Sequence, residues 1–347
     1  MAAPSAESPG AAARLLAAAE DTDLDRAARL LADGGVVAMP TETVYGLAAD
    51  ATTPAAVGRV FAVKGRPSDH PLIVHLADAA EADRWAAQIH PRLRELAAQH
   101  WPGPLTIVVP KQPWVSAGIT GGQHTVALRV PDQGATRSVI QRLGELTGRA
   151  PGVVAPSANR FGAVSPTAAE HVLASLGAFL GAGDAVLDAG ECPVGVESTI
   201  VAWDVGAGAP RVLRPGAVTV PDAVPSAAGR SRGSGRPGRS QEVPRVPGAL
   251  AAHYSPRARV LLVGAEGALP SLAHAGLVAP AGVATPPGWL RLAAPGDAAA
   301  YARVLYAALR SADDAGLAVV VAVPPAVGPL APAVLDRLQR AAAAAAG

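Results

Sequence analysis

The sequence predicts an α/β protein built on two sheets: a mixed sheet with flanking helices over the first two thirds, and a small parallel α/β unit at the end. Three observations lead there. Between residues 24 and 220, strand-like and helix-like runs alternate irregularly, which argues for a mixed sheet rather than a strict βαβ series. Residues 221–256 are dominated by Pro, Gly, Ser and Arg, the composition of a linker. Residues 257–347 resume a strand–helix alternation of the parallel kind. A length of 347 residues suits two such units, each able to bury its own core.

The elements follow in order. Residues 1–20 are rich in Ala, Ser and Pro and read as a disordered tail; with no basic stretch leading into an apolar run, they fit no targeting signal. The first unit spans 21–220. Helical spacing of apolar residues over 24–32 stops at Gly34-Gly35. Residues 36–39 form an apolar run before Pro40, read as a strand. A helix follows over 54–63 with Pro54 in its first turn, then a strand over 72–76. One or two helices occupy 79–99, the second restarting at Pro91. The β-branched runs 105–109 and 126–130 are strands, 136–146 a helix, 153–155 a strand and 168–176 a helix. Strands at 186–188, 198–203 and 211–213 close the unit. Within the linker, 229–245 holds five arginines against one acid, Glu242, a local charge of +4. The last unit, 257–347, reads as strands at 259–263, 276–278 and 317–323 with helices at 269–275, 297–311 and 333–345. It has no G-x-G-x-x-G after its first strand, so a dinucleotide site there has no support.

Composition excludes several classes. Lys plus Arg number 29 and Asp plus Glu 28, a net charge of +1, too close to neutral for a general polyanion binder. Twelve aromatics cannot line a long base-stacking groove. One cysteine, Cys192, excludes a disulfide framework or a thiolate zinc site and suits a reducing compartment. No apolar run of membrane-spanning length occurs, so the expected location is the cytoplasm.

The chemistry lies in polar islands of the first unit. Pro40-Thr41-Glu42-Thr43-Val44-Tyr45-Gly46-Leu47 reads as a hydroxyl-rich loop after a strand. Lys64-Gly65-Arg66-Pro67 sets a point charge and a bidentate fork where both can meet one polyanion. Pro71-Leu72-Ile73-Val74-His75 places His75 at a strand end beside it. In Thr125-Val126-Ala127-Leu128-Arg129-Val130-Pro131, Arg129 shares a strand face with Thr125 and needs an anionic partner, either a protein carboxylate or a substrate carboxylate. Pro156-Ser157-Ala158-Asn159 turns out of a strand. Ser165-Pro166-Thr167 opens the next helix, where free N–H groups favour anions. Gly195-Val196-Glu197-Ser198-Thr199-Ile200 and Leu213-Arg214-Pro215-Gly216 complete the set. No Walker A motif, nucleophile elbow or metal-ligand spacing occurs, and no metal held by the protein is expected.

Taken in order, PTETVYGL, KGRP, PLIVH, WPGPLT, TVALRVP, PSAN, GVESTI and LRPG resemble the threonylcarbamoyl-AMP synthase (Sua5/YrdC) family over residues 24–220. The later PG…HYSP segment (Pro247, Gly248, His253, Tyr254, Ser255, Pro256) and the trailing α/β unit resemble its longer, two-domain Sua5 type. The resemblance implies a YrdC-like mixed twisted sheet with flanking helices, a linker, and a small Rossmann-like parallel Sua5 domain. It implies that L-threonine, bicarbonate or CO2, and ATP (with Mg2+) become threonylcarbamoyl-AMP and pyrophosphate. The product would pass to the tRNA threonylcarbamoyltransferase machinery for N6-threonylcarbamoylation of adenosine 37 in tRNAs reading ANN codons. On matching positions it implies threonine contacts at Thr41, His75, Arg129, Ser157 and Ser198. It implies ATP contacts at Lys64, Arg66, Thr125, Asn159, Ser165, Thr167, Arg214 and Tyr254, with Lys64 and Arg66 carrying catalysis. Where the family has a Met and a basic residue between PG and HY, this chain has Ala249-Leu250-Ala251-Ala252.

Three other readings use the same residues, one of them a regulatory factor without catalysis whose cleft has decayed, which the intact motif set disfavours. A double-stranded RNA or tRNA binder without adenylate synthesis would use a basic concave surface, which the near-neutral charge disfavours. A carbamoyltransferase maturation factor resembles larger, Cys-rich, zinc-bearing chains, and the single Cys192 disfavours that. No stable nucleic-acid binding and no membrane partner are expected.

Overall fold

The structure is a computed structural model; it describes residues 13–224, 243–248, 253–264 and 267–343. Ten strands form one sheet: β1 (Arg14–Ala17), β2 (Val37–Met39), β3 (Gly46–Asp50), β4 (Ile73–His75), β5 (Leu105–Pro110), β6 (Thr125–Arg129), β7 (Val153–Val154), β8 (Ala185–Asp188), β9 (Thr199–Asp204) and β10 (Ala209–Arg214). Their order is β1-β8-β2-β3-β7-β4-β6-β5-β9-β10. Parallel pairs (β1/β8, β2/β8, β4/β6, β5/β9) occur among antiparallel ones (β2/β3, β3/β7, β4/β7, β5/β6, β9/β10), so the sheet is mixed as the irregular alternation implied.

Helices cover the sheet where the sequence periodicity places them. In α1 (Asp21–Ala32) the buried residues Leu24, Ala27, Ala28 and Leu31 repeat at helical spacing. Asp21 and Asp23 lie in its first turn and Arg29 in its last, matching the helix dipole. α2 (Pro54–Lys64) opens with proline and closes on Gly65, whose φ of 63° supplies the left-handed cap. The stretch 79–99 resolves into a 3-10 turn, the short α3 (Ala82–Trp85) and α4 (Pro91–His100), restarting at Pro91 as expected. A four-residue helix, α5 (Ala117–Thr120), precedes β6. α6 (Gly134–Thr147) packs Val139, Ile140 and Leu143 in one cluster with Leu24 and Leu31 of α1, and α7 (Ala169–Leu176) follows β7.

The C-terminal unit holds β11 (Arg259–Leu262), β12 (Gly276–Val278), β13 (Leu290–Ala293) and β14 (Val319–Ala322) in the all-parallel order β11-β14-β12-β13. α8 (Ala298–Asp314) and α9 (Ala331–Ala343) cover it through Tyr301, Leu305, Leu309, Val334 and Leu338.

Four expectations change. The residue 1–20 tail is not wholly without structure, because Arg14–Ala17 pairs with β8. The PTETVYGL loop ends early: Gly46–Asp50 is a buried strand, hidden in the sequence by its Gly and Ala content. No helix forms over 269–275; that stretch is irregular, and the missing fourth strand of the small sheet lies later, at Leu290–Ala293. α7 begins after Ala168 without a side-chain cap, so neither Ser165 nor Thr167 caps it.

Candidate functional site

The motif loops meet where β2, β4, β6, β7 and β10 end and β9 begins. Thr41, Arg66, His75, Arg129, Ser157, Ser198, Arg214 and Tyr254, eight of the expected site residues, line one small cavity of about 50 Å³. Lys64, Thr125, Asn159, Ser165 and Thr167 do not reach its wall. A larger groove of about 650 Å³ lies elsewhere, between Asp78, Glu81, Arg84, Arg137, Glu145 and Arg149. It mixes both charge signs and holds none of the motif residues, so the smaller cavity is the candidate site.

Short side chains are locked by their own loops. Thr41 Oγ1 accepts from the N–H groups of Thr43 and Val44 and donates to Val44 O at 2.6 Å, which fixes the turn. Ser198 Oγ lies 2.7 Å from Thr106 Oγ1 and accepts from Arg214 Nη2 at 3.0 Å. Asn159 Nδ2 donates to Arg160 O and Ala163 O, leaving its Oδ1 buried without a partner. Ser165 gives its hydroxyl to Glu197 Oε1 at 2.7 Å, and Thr167 pairs with His171, so these two serve the wall from behind.

The cations have an unusual environment. Lys64 is only 2% exposed at the end of α2. Its ammonium donates to two carbonyls, Ser157 O and, at 2.6 Å, Asn159 O. Burial, then Arg66 and Arg160, push its pKa well down. Arg66 donates to Pro71 O and lies over the Phe161 ring at 5.7 Å; burial lowers it to about 10. Arg214 is held by Ser198 O, Ser198 Oγ and Pro247 O. Among the described residues, no carboxylate stands within ion-pair distance of Lys64, Arg66 or Arg214. Arg129 differs: its Nη2 is 2.6 Å from Glu42 Oε1, so the strand arginine does have a protein carboxylate beside it. That contact lacks hydrogen-bond alignment, and both atoms remain open to a better-placed partner. His75 and His253 are both neutral, driven to about 3 chiefly by burial and by nearby cations.

The linker enters the same cavity. Pro247, Gly248, His253 and Tyr254 form part of its wall. Gly248 has φ of +76°, and a Cβ there would stand 2.2 Å from Tyr254 Oη, so only glycine fits. Tyr254 is buried at φ of 62°, a left-handed backbone that costs a tyrosine about 1–2 kcal/mol. Residues 249–252, where the sequence departs from the family pattern, lie outside the described residues, as does most of the +4 segment. Sequence reasoning assigned no role to Glu42, Glu197, Tyr306 or Arg337. Glu42 and Glu197 lay inside quoted motifs, whereas nothing in an Ala-rich C-terminal helix marked Arg337.

A mixed α/β domain with a cationic, hydroxyl-rich cleft, walled in part by the linker to a second domain, defines a class of nucleotide-handling enzymes. The comparisons give the particular family. Residues 29–216 match the Sua5/YciO/YrdC family model, described as telomere recombination. Residues 217–343 match the threonylcarbamoyl-AMP synthase C-terminal domain. The chain belongs to the threonylcarbamoyl-AMP synthase family, in its two-domain Sua5 form. The threonylcarbamoyl-AMP synthase of Pyrococcus abyssi is 40% identical over 70% of this chain and 68% of its own length. That of Bacillus subtilis is 37% identical over 69% of this chain and 66% of its own. The crystal structure of P. abyssi Sua5 complexed with L-threonine superposes with a TM-score of 0.78 at 32% identity, covering 94% of this chain and 96% of that one.

Proposed function

We propose that this chain condenses L-threonine, bicarbonate or CO2, and ATP into threonylcarbamoyl-AMP, releasing pyrophosphate. The observation that carries the reading is the group of buried cations, Lys64, Arg66 and Arg214, that converge near the motif cavity with no carboxylate at ion-pair distance among the described residues, Glu197 being the one acid in the cavity wall. Burying charge without a counter-charge is costly, and a polyanionic substrate offsets that cost. The relatives named above are threonylcarbamoyl-AMP synthases, and one of them binds L-threonine.

Threonine's neutral amine first adds to CO2, forming the N–C bond and releasing one proton to solvent, to give a carbamate. A carbamate oxygen then attacks the α-phosphorus of ATP; the bond from that phosphorus to the bridging oxygen breaks, and the electron pair leaves with pyrophosphate. Neither step needs a protein nucleophile, and both histidines are too buried to be charged acids. Catalysis comes from positioning and from stabilising phosphoryl charge. Arg66 and Arg214 face the phosphates across the cavity. Lys64 acts from the same loop cluster, its ammonium reoriented from the Ser157 and Asn159 carbonyls. Arg129 turns its guanidinium, now beside Glu42, to the threonine carboxylate, with Thr41, His75, Ser157 and Ser198 around the amino acid. Thr125, Asn159, Ser165 and Thr167 support the nucleotide side without reaching the present cavity wall. Among the described residues no three metal-ligating side chains come together, and Mg2+ is read as part of the nucleotide substrate.

A cavity of about 50 Å³ is far below the roughly 300–1,000 Å³ of ordinary ligand sites. The linker must therefore swing outward for ATP to enter, and Tyr254 and the Arg214–Pro247 bond mark the position toward which it returns over the bound nucleotide. The domain partition at 21–220, 221–256 and 257–347 follows from this reading. No described helix is long and apolar enough to cross a membrane. The reading puts the reaction in the cytoplasm and hands the product to the tRNA-modifying transferase. The test is chromatographic identification of the adenylate formed from labelled bicarbonate, ATP and L-threonine. AMP or ADP as the sole nucleotide product would overturn the reading.

A further inference from the structure

The C-terminal unit reaches into the first unit through two wholly buried side chains, Arg337 on α9 and Tyr306 on α8. Both end on Glu197, which lines the cavity. Arg337 Nε donates to Glu197 Oε2 at 2.8 Å, and Tyr306 Oη donates to the same oxygen at 2.8 Å. Ser165 Oγ donates to the other oxygen, so three donors hold one carboxylate. The Arg337 guanidinium also lies 5.4 Å from the centre of the Tyr254 ring, and Tyr306 packs on that ring at 5.7 Å. Glu197 is followed by Ser198, whose carbonyl and hydroxyl hold Arg214, and Arg214 in turn holds Pro247 of the linker. One arginine of the second unit thus touches both the catalytic wall and the linker tyrosine.

Charge explains why this matters. The cavity is lined by Arg66, Arg129, Arg214 and Glu197. Arg129 has Glu42 as its neighbour, which leaves Glu197 as the acid facing the proposed phosphate site. An unneutralised carboxylate there would repel the triphosphate and draw Arg214 away from it. We propose that Arg337 is a positioning residue for ATP: it neutralises and orients Glu197 and seats Tyr254, so the C-terminal unit completes the nucleotide site. The inference rests on the reading of the cavity as an ATP site.

The test measures the KM for ATP in the full-length chain, with wild-type ATP binding established first. Arg337→Met should raise the KM for ATP about tenfold or more, because an acid is uncovered at the phosphates. Arg337→Met/Glu197→Gln removes both charges and should recover most of that loss, an outcome that a merely structural arginine does not give. Tyr306→Phe keeps the ring and deletes one donor; it should raise the same KM by about threefold and serves if Arg337→Met does not fold. An unchanged KM for ATP in folded Arg337→Met, or in Tyr306→Phe where that variant must stand in, overturns the proposal. So does a double variant as impaired as the single one. Absence of ATP binding by the wild type instead overturns the functional reading, and this inference with it.

Discussion

Lys64→Met separates the role of the buried ammonium in binding from any role in folding. The ammonium sits 2% exposed on two carbonyl oxygens, with no carboxylate at ion-pair distance among the described residues. Its removal strands two acceptors, at about 1–3 kcal/mol each, but also removes a desolvated charge that costs several kcal/mol. These terms oppose each other, so thermal stability should hold or rise. ATP should suffer. A charge-assisted hydrogen bond contributes roughly 1.5–3 kcal/mol, which at 1.4 kcal/mol per decade is about a 10- to 150-fold weaker Kd. Turnover should fall by about 10²–10³ if the ammonium also stabilises phosphoryl charge. Calorimetric titration with ATP, pyrophosphate release and a denaturation curve give the three numbers. There is also a pH signature. Burial holds the folded-state pKa of Lys64 below its unfolded value of about 10.4. Between those values the unfolded chain binds more protons, so stability rises with pH across that window. Lys64→Met should lose that rise. A variant with wild-type ATP affinity and turnover would refute the reasoning, as would one that simply unfolds.

Other expectations concern the rest of the site. Arg129→Lys keeps a charge but loses the fork; the KM for threonine should rise about tenfold or more, and an unchanged value would assign Arg129 to its Glu42 contact alone. Gly248→Ala sets a methyl 2.2 Å from Tyr254 Oη at a positive φ, so linker closure should fail: kcat should fall at least about tenfold with a Tm loss of a few degrees. Unaltered kinetics there would show that closure is not part of turnover. Burial raises the Glu197 pKa, but Arg337 and Arg214 more than offset it and hold the carboxyl at about 2. This depressed carboxyl contributes stability above its unfolded value of about 4.3, and about 3 kcal/mol is lost as pH falls toward 2. Urea unfolding across that range should show a steeper acid loss in wild type than in Glu197→Gln, and parallel curves would contradict the pairing.

The sequence made the fold class and most of the cleft legible, because both depend on local signals. Apolar spacing in Leu24, Ala27, Ala28 and Leu31 marked α1, and β-branched runs marked β5 and β6. The motif loops named eight of the cavity residues. What escaped depends on distant partners. Gly46–Asp50 is a strand because β2 and β7 flank it, although Gly-Leu-Ala-Ala-Asp has little β preference of its own. Arg14–Ala17 is a strand only through its pairing with β8, 171 positions downstream at Arg14 and Ala185. Leu269 to Ala275 looked helical by spacing yet packs as an irregular stretch, with Leu269 and Leu272 against the core around Trp289. Arg337 lies 140 residues from Glu197, a separation at which no motif or periodicity links two side chains.

The central claim is that the buried cation cluster and the hydroxyl-rich cleft serve threonine adenylation. Pyrophosphate release from ATP and bicarbonate, measured with a panel of amino acids, tests it most directly. The account predicts release that depends on bicarbonate and is stimulated by L-threonine, with serine and valine much weaker. Release that is indifferent to the amino acid, or absent with L-threonine, would contradict it.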